Sequence, residues 1–344
     1  MSSLLRPTYT LTLGSQRWTS QVRRIRLTLA TAPRVDALTV EFPIAAPFSA
    51  GIGDPAELDL DGGEGDAPVF LGTIDSVRRS LDSLRVTCLN GGGVLARFRP
   101  AVAYEQITTG NVVRKLCAEA DVDTGAIEEG VPLLYYAADP ARTALDHIAR
   151  VCGWSGSIAR VLPGNQVESL VVNATRADSA LRYGRDLLGL HHRKVSAPVR
   201  SFVVAGEGGA GGTSDPEAGR PSTDFFAGRR PDGPSAAARW SSEPALRTPR
   251  AAATAAASRQ RAYDSGREQG WFDALLRPGL RPGSVLEIRG LPAGLPSGPL
   301  WVGHLRHTIG PEGALTRAYF VKGGDRFDPL ALLGSILGAV GGVL

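Results

Sequence analysis

Three runs near the amino terminus, TYTLTL (8–13), RRIRLTLA (23–30) and ALTVEF (37–42), alternate apolar and polar residues. Successive side chains of a strand point to opposite faces, so a period of two places one face of each run in a core and the other in water. The stretch ELDLDGGEGDAPVFLGTIDSVRRSLDSLRVTCLN (57–90) then reads as strand, Gly/Asp turn, strand, turn, strand. Antiparallel strands with such short connections favour a small barrel or sandwich. Pro33 belongs at the edge of the same sheet.

Asn90-Gly91-Gly92 closes this region, and the period then changes. Thr109 is the expected N-cap of GNVVRKLCAEA, with Val112, Val113 and Leu116 on one helical face. Asp139-Pro140 is the expected start of a second helix whose apolar stripe is Leu145, Ile148, Ala149 and Cys152, with Gly153 as its stop. A hairpin around Leu162–Asn165, two strands flanking a Tyr183-Gly184 turn and a strand at 199–206 follow. From 208 to 249 the chain is rich in Gly, Ser, Pro and Ala and lacks the apolar surface needed to offset ordering, so a long loop is expected there, with Phe225, Phe226 and Trp240 as local docking points. Arg250–Arg267 is Ala-rich and helical by propensity. RPGSVLEIRGL, PLWVGHLRHTI and LTRAYFVKGG supply three more strands. The expected architecture is α+β and mainly β: a β-rich unit at 1–100, a mixed α/β unit at 101–198, a second β-rich unit at 199–327 interrupted at 208–249, and a tail at 328–344.

No catalytic constellation stands out. The chain of 344 residues is 43% hydrophobic with a formal charge of only +4, its Lys and Arg scattered among acids, which argues against a sequence-specific nucleic-acid partner. Cys88, Cys117 and Cys152 lack CxxC spacing and read as buried free thiols. His191-His192 and His304/His307 match no zinc spacing, and in a strand the second pair would face opposite ways. GEGGAGG (206–212) lacks the helix that a phosphate loop requires, and Asp121, Asp123, Glu128 and Glu129 lack the order of a calcium loop. Arg78, Arg79, Arg97 and Arg99 could line a polyanion path, although a solvated face is the plainer reading. No metal and no cofactor is expected. The N-terminus has no basic region followed by an apolar core, so Sec export is not expected and synthesis would be cytoplasmic.

The tail is a separate signal. Sixteen uncharged residues follow Asp328, with Gly334, Gly338 and Gly342 spaced four apart, a spacing that lets helices approach closely. Leu330, Leu333, Ile336 and Leu337 would be its anchors on a sister subunit or assembly partner; a disordered tail is the next alternative, and since the run is short for a membrane span, membrane contact is the least of the three.

Taken together and in order, VFLGTIDSV (69–77), the NGGGVL segment at Asn90, YEQITTGNVVRKLCAEADV, YYAADPARTALDHIARVCGW, LRYGRDLLGL, VRSFVVAGEG, RPGSVLEIRG and HLRHTI with ALTRAYFVKGG resemble the late control protein D family over roughly 5–324. These are baseplate hub proteins of contractile phage tails and injection machines, similar also to the hub part of type VI spike proteins. The resemblance implies two tail-tube-like β-barrel domains around a mixed α/β insertion, forming a homotrimeric pseudo-sixfold ring that joins a sixfold tail tube to a threefold spike. It implies a non-enzymatic structural protein whose partners are the tube protein, a separate spike protein and other baseplate proteins, in a virion, bacteriocin or injection particle. A tail-associated cell-wall hydrolase and a carbohydrate-binding adhesion protein are the alternative readings.

Overall fold

The computed structural model describes residues 7–171, 176–196, 201–206, 238–296 and 298–323. Seven strands open the chain: β1 (Thr8–Leu13), β2 (Gln16–Trp18), β3 (Arg24–Ala30), β4 (Ala37–Pro43), β5 (Pro55–Asp61), β6 (Ala67–Arg79) and β7 (Ser83–Leu89). The mixed region carries α1 (Gly91–Leu95), β8 (Val102–Thr108), α2 (Thr109–Glu119), β9 (Thr124–Ile127), β10 (Pro132–Ala138), α3 (Ala144–Ser155), β11 (Ser157–Val161) and β12 (Val167–Val171). There follow β13 (Ser179–Arg182), β14 (Leu187–Lys194), β15 (Ser201–Ala205), β16 (Ala238–Ser242), α4 (Pro249–Gly266), β17 (Glu268–Leu275), β18 (Val285–Arg289), β19 (Leu300–Gly310) and β20 (Gly313–Lys322).

The strands at the two ends of the chain form one sheet. Its order is β14-β17-β20-β19-β3-β4-β7-β6-β5-β1-β2, with β18 also pairing β19 and β13 attached to β18. The sequence leads one to expect two closed barrels; among the described residues this path is open and no closed barrel is found. The joint is the antiparallel pairing of β3 with β19, from Ile25 opposite Ile309 to Ala30 opposite His304. Both strands are half-buried with the same period, and side by side they put Ile25, Leu27, Leu29 and Leu305 into one core; each thereby covers what would have been the other's free edge. That core runs through both strand groups, from Leu38, Phe42 and Leu58 to Phe272, Leu286 and Phe320.

Two segments lie elsewhere than the sequence suggests. The two strands flanking the Tyr183-Gly184 turn, expected in the mixed unit, join the large sheet separately: β13 runs parallel to β18 and β14 antiparallel to β17, where Leu181 and Leu187 enter the main core. Strand β15, expected to open the second β unit, pairs in parallel with β16 and sends Val204 into a second core. Alternation identifies a strand but not its neighbour, and that neighbour is fixed by long-range packing.

The second core belongs to the mixed region. The β8/β10 and β9/β12/β11 sheets are covered by α2, α3 and α4 around Trp154, Tyr136, Leu116 and Ile148. Helix α2 starts at its expected cap, one residue early: the Thr108 hydroxyl accepts from Asn111 N, which frees Thr109 Oγ1 to accept from Val131 N at 3.0 Å. Helix α3 starts later than Asp139-Pro140, because Thr143 and Asp146 form a reciprocal capping box. It ends at Gly156, whose φ of 74° supplies the left-handed turn, and not at Gly153, which stays helical. Helix α4, capped by Thr248 with Pro249 at its first turn, buries only Ala251, Ala252, Ala255 and Ser258, and these small side chains let it lie close on α3, where Ser258 Oγ donates to Gly153 O at 2.6 Å.

Candidate functional site

The two cores meet at a buried acid. Asp36, 3% exposed between β3 and β4, accepts from Ala30 N at 2.7 Å and from Asn90 Nδ2 at 2.9 Å. Asn90 in turn caps α1 through Gly92 N, while Gly91 N donates to Asn165 at the tip of the β11–β12 hairpin. One carboxylate therefore fixes the point where the large sheet hands over to the mixed region. Burial pushes its carboxyl up to about 7 against the opposing effect of the two donated hydrogen bonds. The folded state then holds a proton that the unfolded chain has released, so stability is fullest below the unfolded carboxyl pKa of about 4 and declines as pH rises toward 7. Thermal midpoints should fall between pH 5 and pH 8, by the equivalent of at most about 3 kcal/mol. Asp36→Asn should flatten that slope; an unchanged slope in the variant would show that the site does not titrate in this window.

A second arrangement covers the polar face of the large sheet. His191, Trp271, Tyr319 and His304 are successive register partners across β14, β17, β20 and β19. His191 stacks on Trp271 with ring centroids 3.9 Å apart, and His304 on Tyr319 at 4.1 Å. The Arg317 guanidinium lies 4.3 Å from the Trp271 ring centre and is held by Asp273 through two hydrogen bonds of 2.7 and 2.8 Å. Because the rings face one another across the strands, they brace the sheet and offer edges to solvent. Beside them lies an arginine-rich zone: Arg26 is lowered by burial and by the nearby Arg306, Arg24 and Arg85, with Arg24 paired to Glu312 at 2.7 Å and Arg85 within 3.9 Å of Glu41.

The residues with chemical potential in the sequence serve the scaffold. His307 faces the core, opposite in direction to His304, with Nδ1 2.8 Å from Thr316 Oγ1, and burial pushes it down to about 3. Burial raises the thiols of Cys88 and Cys117 to about 12 and that of Cys152 to about 11, and all three are free. His147 uses both ring nitrogens, toward Tyr136 Oη at 2.7 Å and Asp139 O at 3.0 Å. Glu129 binds Arg114 and Thr108, and among the described residues no three His, Cys, Asp or Glu side chains gather as a metal site. The arginine path suggested by Arg78, Arg79, Arg97 and Arg99 is divided: Arg97 pairs with Asp75, and Arg99 donates to the carbonyls of Pro140 and Ala141. The anchors Leu330, Leu333, Ile336 and Leu337 and the glycines Gly334, Gly338 and Gly342 lie outside the described residues, as do Phe225 and Phe226. Two features had no plain signal in the sequence: the Asp36–Asn90 contact and the ladder across four strands.

No protein-family model and no curated protein matches the sequence. Solved structures do. The 43 kDa tail protein of prophage MuSo2 from Shewanella oneidensis is similar at a TM-score of 0.66 and 13% identity, over 92% of this chain and 96% of the other. A tail protein from Neisseria meningitidis MC58 is similar at 0.66 and 12% identity, over 92% and 97%. The Escherichia coli c3393 protein, a type VI secretion component with structural similarity to the T4 tail proteins gp27 and gp5, is similar at 0.62 and 12%, over 92% of this chain and 78% of its own. At these identities the shared property is the fold, and the chain has the fold of phage-tail and type VI tail proteins along nearly all of its length.

Proposed function

We propose that the chain is a non-enzymatic baseplate hub that adapts a sixfold tail tube to a threefold spike. The observation that carries this reading is the β3–β19 pairing, which fuses two strand groups into one sheet and lets a single chain present two β surfaces side by side. Three chains would present six such surfaces, matching a sixfold ring below and a threefold axis above. The open sheet supports it, since among the described residues β2 at one end and β14 at the other have no second strand beside them, and ring closure through neighbouring chains would supply one. The short β2 and the charged Arg193 and Lys194 on β14 would keep those edges from pairing indiscriminately. The similarity to tail proteins over 92% of the chain supports the same reading. The ladder and the buried thiols suit a part that must stay rigid and chemically inert. On this reading the tube protein, a spike protein and other baseplate proteins are its partners.

Light scattering on the purified protein, with and without a candidate spike protein, tests this. Three chain masses, or a trimer formed when the spike is added, are expected. A monomer under both conditions, together with a clearing zone in a cell-wall zymogram, would replace the hub with a hydrolase.

A further inference from the structure

The region where α3, α4 and β11 approach the ends of β19 and β20 forms a cavity of about 490 Å³ that opens to solvent. Its lining joins the apolar Ala149, Trp154, Ile158, Ala262, Trp301 and Val321 with the basic Arg150, Arg259, Arg261 and Lys322. This volume lies within the range of roughly 300–1,000 Å³ in which proteins bind small molecules or peptide segments. Most of the surface it offers is apolar, so a suitable occupant is an apolar, uncharged segment.

We infer that the occupant is the chain's own C-terminal tail. Gly323, the last described residue, itself lines the cavity. Leu330 lies seven residues further on, and an extended chain gains about 3.3–3.6 Å per residue, so the first apolar anchors are within reach of every part of the lining. The segment from Pro329 to Leu344 carries no charged side chain. Its leucines and isoleucine fit the apolar part of the lining, and its glycines, having no Cβ, let the segment turn within a confined space. The uncharged run and the apolar cavity beside Gly323 answer each other. This inference does not depend on the hub reading.

Trypsin cleavage after Arg326, followed by mass spectrometry on the full chain, tests it. A docked tail shields this bond, and cleavage of a shielded site follows the population of its open form. Ala262→Trp fills the cavity from α4 and should speed cleavage by at least about 10-fold, the change expected when a local closure of roughly 1.4 kcal/mol is lost. Ala149→Leu, from α3, should act in the same direction. In a chain ending at Phe327 the Ala262→Trp substitution should leave the thermal midpoint unchanged or raise it, because the space is then empty. Equal cleavage of parent and both variants would overturn the proposal, as would a midpoint lowered by Ala262→Trp in the truncated chain. Protection that grows with protein concentration would assign the cavity to a second copy's tail and overturn it equally.

Discussion

Trp154→Ala should remove about 4–5 kcal/mol of stability, the upper end of the range for deleting a large aromatic from a core. Trp154 is 1% exposed at the end of α3, with Tyr136 packed edge-on at 5.9 Å and the Arg150 guanidinium 5.0 Å from its ring centre. The cost of such a deletion depends on how far the neighbours can collapse into the space left behind. Here they have little means to do so, because Trp154 forms one wall of the 490 Å³ cavity and its neighbours therefore surround it on one side only. Trp154→Phe makes the informative comparison. It keeps an aromatic against Tyr136 and gives up an indole N–H that has no partner among the described residues, so its cost should be about 1–2 kcal/mol. Urea unfolding midpoints of the two variants measure both values. An alanine variant within 1 kcal/mol of the parent would mean that α3 and α4 move inward freely.

The elements that proved legible in the sequence are those whose signal is local. TYTLTL and ALTVEF became β1 and β4 because one face of each had to be apolar, and the alternation states that face directly. The Ala-rich run became α4 within a residue of its expected start, with Thr248 and Pro249 giving the helix its cap and first turn. Two helix starts moved for a physical reason that is also local but competitive. Thr108 and Thr109 can both cap, and the choice is settled by Val131 N and Ser155 Oγ, which approach Thr109 from other elements. Asp139 binds Ala141 N in a turn of its own and leaves the capping of α3 to Thr143.

What could not be read concerns partners. The pairing of β3 with β19 joins residues about 280 positions apart, and nothing in either strand's alternation names the other. Strand β17 escaped notice because it follows α4 after a single residue and its polar face is occupied by Trp271, which breaks the simple apolar–polar pattern. The candidate sites divide in the same way. That His304 and His307 face apart follows from strand period, whereas the stacking of His304 on Tyr319 and the burial of His307 against Thr316 come from sheet order. Asp36 is silent in sequence because a lone acid between two strands is ordinarily solvated; only the fold supplies Asn90 and removes the water.

Glu243→Ala should cost about 3 kcal/mol or more, for a reason distinct from packing. Glu243 follows β16 and its side chain is 10% exposed; it accepts from Arg150 Nη2 of α3 at 2.7 Å and is paired as well with Arg259 of α4. Burial alone would raise its carboxyl, yet the hydrogen bonds and charges of Arg150 and Arg259 outweigh it and hold the group below the ordinary glutamate range. The stabilisation is therefore present above the unfolded glutamate pKa of about 4.3 and is lost as pH falls through the lower folded value, a direction opposite to that of Asp36. Removing the acid leaves two guanidinium groups, 24% and 29% exposed, facing each other without compensation, and that repulsion makes the single substitution expensive. If this account is right, Arg150→Met with Arg259→Leu in the Glu243→Ala background should recover most of the loss, since an apolar cluster of similar volume carries no charge to desolvate. Amide hydrogen exchange locates the effect. β15 and β16 are tied to α3 and α4 through this carboxylate, through Arg259 donating to Ser241, and through Val204 and the Phe202–Tyr263 ring contact. Glu243 also holds Arg259 in place, so their protection should fall first in Glu243→Ala while β3 and β19 keep theirs. Loss of protection spread evenly over both cores would show instead that the two unfold as a single unit, with Asp36 and Asn90 as the tie between them.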